Sequence, residues 1–147
     1  MVIYGSRDKA ALVICEMRAT GPFGEGLKRL DLGRSGEDMA VGFLEGKGFS
    51  ILERNYRCLF GEIDVIAGKG DTIAFVEVKT RSGVRYGRPC EAVGRDKQAH
   101  IRRVALFYIG ESRKLGLNLY DKEFRFDIVE ILSRGDGHKI NYIRDAF

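Results

Sequence analysis

Two apolar runs of β type, Ile63-Asp64-Val65-Ile66 and Phe75-Val76-Glu77-Val78-Lys79, stand on either side of a glycine-rich turn, and both carry charges where a strand prefers none. The turn, Gly68-Lys69-Gly70-Asp71, supplies the positive-φ positions of a short hairpin loop. Side chains alternate in direction along a strand, so Glu62 and Asp64 share one face, as do Glu77 and Lys79. Paired as a hairpin, the runs bring two acids and a lysine to one spot. Charges set among Ile, Val and Phe are costly unless they are paired or bound to a metal. Gly61 to Arg81 is therefore the candidate site.

The same periodicities organise the rest of the chain. Phe49 to Arg54 reads as a strand preceding the pair. Upstream, Ser35-Gly36-Glu37-Asp38 resembles a capping box, with Ser35 at the N-cap. Met39, Ala40, Phe43 and Leu44 then form a one-sided helical stripe that stops near Gly46–Gly48. A long helix is predicted from Arg95 or Asp96 to about Lys114, with Ile101, Val104, Ala105, Tyr108 and Ile109 inward and Gly116 as its stop. Phe124 to Leu132 alternates as a strand, and Gly135-Asp136-Gly137 turns it into a last one, Lys139 to Ile143. The order is helix, three strands, helix, two strands: an α/β domain with a central mixed sheet flanked by helices. Residues 34–147 form that single domain. Residues 1–33 read as an N-terminal arm, either a short helix from Asp8 to Arg18 or a mobile segment, broken at Gly21–Gly26.

Composition bounds the chemistry. At 147 residues, 44% hydrophobic and 31% charged, the chain can bury one sizeable core. It contains no apolar run long enough to span a membrane, and Ala10 to Cys15 lacks a clear cleavage site after it, so a cytoplasmic protein without a membrane partner is expected. Cys15, Cys58 and Cys90 are widely spaced, and His100 and His138 form no ligand pattern, which indicates neither a disulfide framework nor a zinc site.

The net charge of +4 is mild, but its distribution is not uniform. Arg81, Arg85 and Arg88 crowd around Tyr86 after the Glu77–Lys79 run, and Arg54 and Arg57 flank Tyr56 before the other. Basic residues interleaved with aromatics beside an acidic site suit a phosphate-bearing polymer; a plain solvated loop has the same composition.

Hydrolysis of a phosphodiester needs a nucleophile, neutralisation of the phosphoryl oxygens and help for the leaving oxygen, all within the reach of a hard divalent cation. Asp64 and Glu77 are the oxygen ligands Mg²⁺ selects, and the backbone carbonyl of Val78 is a third candidate. Lys79 faces the same way as Glu77, placed to orient an attacking water and stabilise developing charge, with a base role left open. Glu37, in the first turn of the predicted helix, is also explained by the helix dipole alone.

Asp64, twelve intervening residues and then Glu77-Val78-Lys79 resembles the Asp…(Asp/Glu)-x-Lys signature of the PD-(D/E)xK restriction-endonuclease-like superfamily, with Ile63 where proline usually stands. A longer string is more specific. Gly36-Glu37-Asp38-Met39-Ala40, Arg54-Asn55-Tyr56-Arg57, Gly61-Glu62-Ile63-Asp64, Phe75 to Arg81 and Asp145-Ala146-Phe147 together resemble the YraN-like family of uncharacterised bacterial proteins. The match covers about Arg34 to Phe147.

The resemblance implies a restriction-endonuclease-like core in the order α-β-β-β-α-β. It implies Asp64 and Glu77 as ligands of Mg²⁺, for which Mn²⁺ substitutes, and Lys79 as the catalytic lysine. Glu37 matches an acid that superfamily members add to the metal or water network, and Lys97 an auxiliary basic position. Glu62 is either a further site acid or a strand-end charge. The expected function is a Mg²⁺-dependent nuclease acting on nucleic acid, foremost DNA in repair or recombination. The alternatives are a non-catalytic binding module on the same fold and a nuclease completed by a protein partner; a homodimer is left open.

Overall fold

A computed structural model of the chain describes residues 31–82, 93–119, 121–134 and 137–147. Its elements are α1 (Asp31–Gly46), β1 (Ser50–Cys58), β2 (Gly61–Lys69), β3 (Thr72–Ser82), α2 (Arg95–Lys114), β4 (Glu123–Arg134) and β5 (Gly137–Ile143). The strands make one mixed sheet in the order β1-β2-β3-β4-β5, antiparallel throughout except for the parallel β3–β4 pair. The parallel pair requires a crossover, and α2 supplies it. This is the α/β architecture expected, a restriction-endonuclease-like core with β5 added at the edge.

The sheet separates two apolar layers. On one face, Ala40 and Leu44 of α1 pack on Val65, Ala67, Ala74, Val76, Val129 and Ile131. On the other, Ile101, Val104, Ala105 and Tyr108 of α2 pack on Leu52, Tyr56, Ile63, Ile66, Phe75 and Ile128. Both predicted helical stripes are therefore the buried ones. Among the described residues, no helix is long and apolar enough to cross a membrane.

Two boundaries differ from expectation. α1 begins at Asp31, so Asp31–Gly33 belong to the helix rather than to an arm, and the presumed cap at Ser35 lies inside it. Glu37 is consequently outside the first turn, which removes the dipole explanation for it. Gly36 has a packing reason instead: a Cβ there would lie 2.1 Å from Thr80 Oγ1, so the glycine lets α1 lie close against β3. β1 runs to Cys58, past the polar Arg54–Arg57 stretch, because an edge strand can carry exposed charge. The turn expected at Gly135–Gly137 and the arm over residues 1–30 fall outside the described residues, apart from Gly137, which opens β5.

Candidate metal and phosphodiester site

The site begins where the sheet forks. Rungs between β2 and β3 run from Lys69↔Thr72, at a turn closed by Gly70 with φ 58°, to Val65↔Val76, and there they stop. Beyond that point β2 continues paired with β1 as far as Cys58↔Gly61, while β3 continues paired with β4 as far as Ser82↔Ser133. Asp64 and Glu77 are the next residues on each limb, so both acids stand in the crotch of the fork.

A backbone irregularity aims Asp64. Ile63 packs beneath α2 whereas Val65 packs beneath α1, so the alternation that should give them one face is broken across Asp64. On β1, Asn55 lies between the partners of these residues and takes a φ of 52°. The Asp64 Oδ2 atom accepts a 2.7 Å hydrogen bond from the Val78 N–H, supplying the acceptor that the lost rung would have given. Glu62 is half-exposed, pairs with Arg57 at 3.0 Å and borders a concavity with Lys97 of α2.

Glu77 is 4% exposed, between neighbours that pack beneath α1, and so projects toward α2. Its Oε1 receives Lys79 Nζ at 2.7 Å and Lys97 Nζ, from the first turn of α2, at 3.4 Å. Its Oε2 is buried and has no hydrogen-bond partner among the described residues. An unsatisfied buried acceptor costs about 1–3 kcal/mol, more when charged, so this oxygen is a position that a cation would satisfy.

Asp64 bears the cost of the crowding. Burial first, then the negative charges of Glu77 and Glu37, raise its carboxyl from 3.8 to about 6, against the lowering pull of the Val78 hydrogen bond and Lys97. Glu37 thus reaches the site from α1, and its Oε2 accepts from Asn55 Nδ2 at 3.0 Å. Two acids repelling one another around an orphaned oxygen form a donor set of the kind a hard cation requires. Among the described residues, no three His, Cys, Asp or Glu side chains are already gathered around one point.

The remaining expected residues divide. Lys97 joins the site. Arg81 Nε sits 3.2 Å from the buried Glu130, which also accepts from Asn141 Nδ2 at 3.1 Å. Arg54 pairs with Asp38. Arg85, Tyr86 and Arg88 lie outside the described residues. Sequence reasoning missed Glu130, opposite Lys79 on the parallel ladder, and Asp127, which is 0% exposed. Asp127 takes Arg125 Nε at 2.8 Å, Arg125 Nη2 at 2.9 Å, the Tyr142 hydroxyl at 2.5 Å and the Asp145 N–H at 2.9 Å. Two acids within an apolar strand, as in the Gly61–Arg81 stretch, were the available signal.

Comparison with known proteins adds a lineage. The family model described as "Uncharacterised protein family UPF0102" matches residues 36–131. A UPF0102 protein of Syntrophus aciditrophicus is 49% identical over 120 residues, which are 82% of this chain and 91% of its own length. A UPF0102 protein of Alkaliphilus metalliredigens is 53% identical over 116 residues, 79% of this chain and 96% of its own. One from Caldicellulosiruptor saccharolyticus is 43% identical over 123 residues, 82% of this chain and all of its own length.

Proposed function

We propose that this chain, which belongs to the uncharacterised protein family UPF0102, is a Mg²⁺-dependent nuclease that hydrolyses phosphodiester bonds in nucleic acid, foremost DNA. The observation that carries this reading is the buried, unpartnered Glu77 Oε2 beside the protonation-prone Asp64 in the fork of the sheet. Asp64 and Glu77 would hold the cation. The Val78 carbonyl joins them, because in an extended strand a residue's C=O points to the same side as its N–H, here toward Asp64. When bound, Mg²⁺ supplies Lewis-acid polarisation of the phosphate and a more acidic water.

The chain's own groups do the rest. Lys79, held against Glu77 at 2.7 Å, would orient the attacking water and face the charge building on the phosphoryl oxygens. Lys97, on the same carboxylate, neutralises the neighbouring phosphate oxygen. Glu37 and Asn55 fix the α1 side of the site through their mutual hydrogen bond. Arg54 and Arg57, more than a third exposed and held by the surface carboxylates of Asp38 and Glu62, would meet the polymer backbone.

A second reading has its own support. Glu77 Oε1 already holds two ammonium groups, and no ligand cluster is gathered among the described residues, which suits a module that binds nucleic acid without cutting it, or a nuclease finished by a partner. Cleavage assays on duplex, single-stranded and branched DNA and RNA, with Mg²⁺, Mn²⁺ or EDTA, separate these. Cutting that chelation and Glu77→Ala each reduce by about a hundredfold or more is expected. Binding on every substrate without cutting, at an affinity unchanged by Glu77→Ala, overturns the nuclease.

A further inference from the structure

A second chemistry-bearing surface lies far from the fork. Five residues back along β3 from Glu77, about 17 Å at strand rise, Thr72 borders a pocket of roughly 450 Å³. The pocket opens beneath α1, where Phe49 and Tyr142 pack, whereas Glu77 projects toward α2. Four cationic side chains line it: Lys47, Lys69, Arg125 and Arg144. Like charges gathered in one concavity repel, and the cluster is worth holding only if an anion enters.

The cluster's own carboxylates do not neutralise it. Asp127 is fully buried behind the wall and holds Arg125 by two parallel hydrogen bonds. That pairing offsets one charge and fixes the guanidinium plane in place, with the Tyr142 hydroxyl as a further restraint at 3.1 Å. Lys69 gives one proton to the Lys47 carbonyl at 2.6 Å and lies over the Phe49 ring at 5.6 Å, which leaves donors to spare. Lys47, Lys69 and Arg144 have no carboxylate partner among the described residues. At the rim, Asp71 pairs with Lys122 and Glu123 accepts from Thr72.

We propose that this pocket binds a terminal phosphate or pyrophosphate group, held by Lys47, Lys69 and Arg144 against the locked fork of Arg125. Four donors around a concave wall suit a multiply charged head better than the singly charged diester of a strand interior. The Tyr142 ring meets Phe49 and Phe43 edge to face, so the rings form walls rather than a stacking platform for a base. The ligand is therefore read by its phosphate. It comes either from a free nucleotide or inorganic anion, or from the phosphorylated end of a strand.

The pocket stands independently of the cleavage reading, and its test is chosen accordingly. Pyrophosphate is titrated into the full chain with EDTA present and the heat of binding followed. Saturable binding is expected, weakened about tenfold or more in Lys69→Gln/Arg144→Gln and unaltered in Glu77→Ala. Lys47→Gln is a second variant, and all three side chains are exposed, so the core is left intact. No saturable binding, or equal affinity in the charge-neutralised variants, overturns the pocket, as does loss of binding in Glu77→Ala. A 5′-phosphorylated oligonucleotide that displaces pyrophosphate where its 5′-hydroxyl counterpart does not supports the pocket and assigns it to strand ends. Displacement by a nucleoside triphosphate but by neither strand supports it and assigns it to free nucleotides.

Discussion

At the scale of single residues, the Asp64 carboxylate costs the fold stability. Asp64 has a folded-state pKa of about 6 against an ordinary 3.8, chiefly because burial penalises its charge. The folded chain keeps the proton more tightly than the unfolded chain does. What Asp64 contributes to stability is thus complete below 3.8 and lost as the pH rises through about 6. Asparagine keeps an acceptor for the Val78 N–H but cannot ionise. In EDTA at about pH 7, Asp64→Asn is expected to unfold about 2 kcal/mol harder than the parent chain, the gap closing below about pH 4. Urea titrations across pH measure this, and a gap independent of pH would refute it. The same variant is expected to lose Mg²⁺-dependent function, since an amide is a poor ligand for a hard cation. The carboxylates of the Asp64–Glu77 hairpin were legible in the sequence because charges interrupt apolar runs there. Asp127 carried the same signal less sharply, because it falls on the polar beat of an alternating strand, and in a sheet covered on both faces that beat is buried too.

At the scale of elements, period-two and helical patterns were enough to place the strands and both helices, since each pattern follows from which face is buried. They did not show where elements begin or where pairing ends. The Ser35–Asp38 string imitates a cap, yet its glycine is spent on the approach of α1 to Thr80. Gly36→Ala is expected to destabilise the fold by about 1–2 kcal/mol despite alanine's better helix propensity, with Thr80→Ala restoring most of the loss. A double-mutant cycle on thermal midpoints reads the coupling, and additivity would deny the contact. Asp127 links β4 to β5 and to the turn at Asp145. Its replacement by alanine leaves Arg125 half-buried and unpaired, for an expected loss of about 3–5 kcal/mol in denaturant. The fork itself was beyond the sequence: the hairpin turn sets register near Gly70, but the end of the rungs depends on strands distant in the chain.

At the scale of the molecule, the fork joins three otherwise separate parts. α1 brings Glu37, α2 brings Lys97, and the two limbs of the sheet bring Asp64 and Glu77. A cation bound there stabilises the fold by mass action, about 1.4 kcal/mol when Mg²⁺ stands at tenfold its dissociation constant. Thermal midpoints are expected to rise with Mg²⁺ in the parent chain and to stay level in Glu77→Ala. The net charge of +4 is modest, so the proposed affinity for nucleic acid would rest on local clusters and is expected to fall steeply with added salt. A flat salt profile would argue against a phosphate-contacting surface.

The hydrogen bond from the Val78 amide to Asp64 gives the chain an internal reporter. This proton is held by an ionisable side chain rather than by another peptide group. Its nitrogen and proton resonances record the charge on that carboxylate. In a ¹⁵N-labelled sample the Val78 cross-peak will move with acid and with added cation, while amides of the intact Val65–Val76 rungs stay in place. One resonance thus follows the charge state and occupancy of the fork without any substrate.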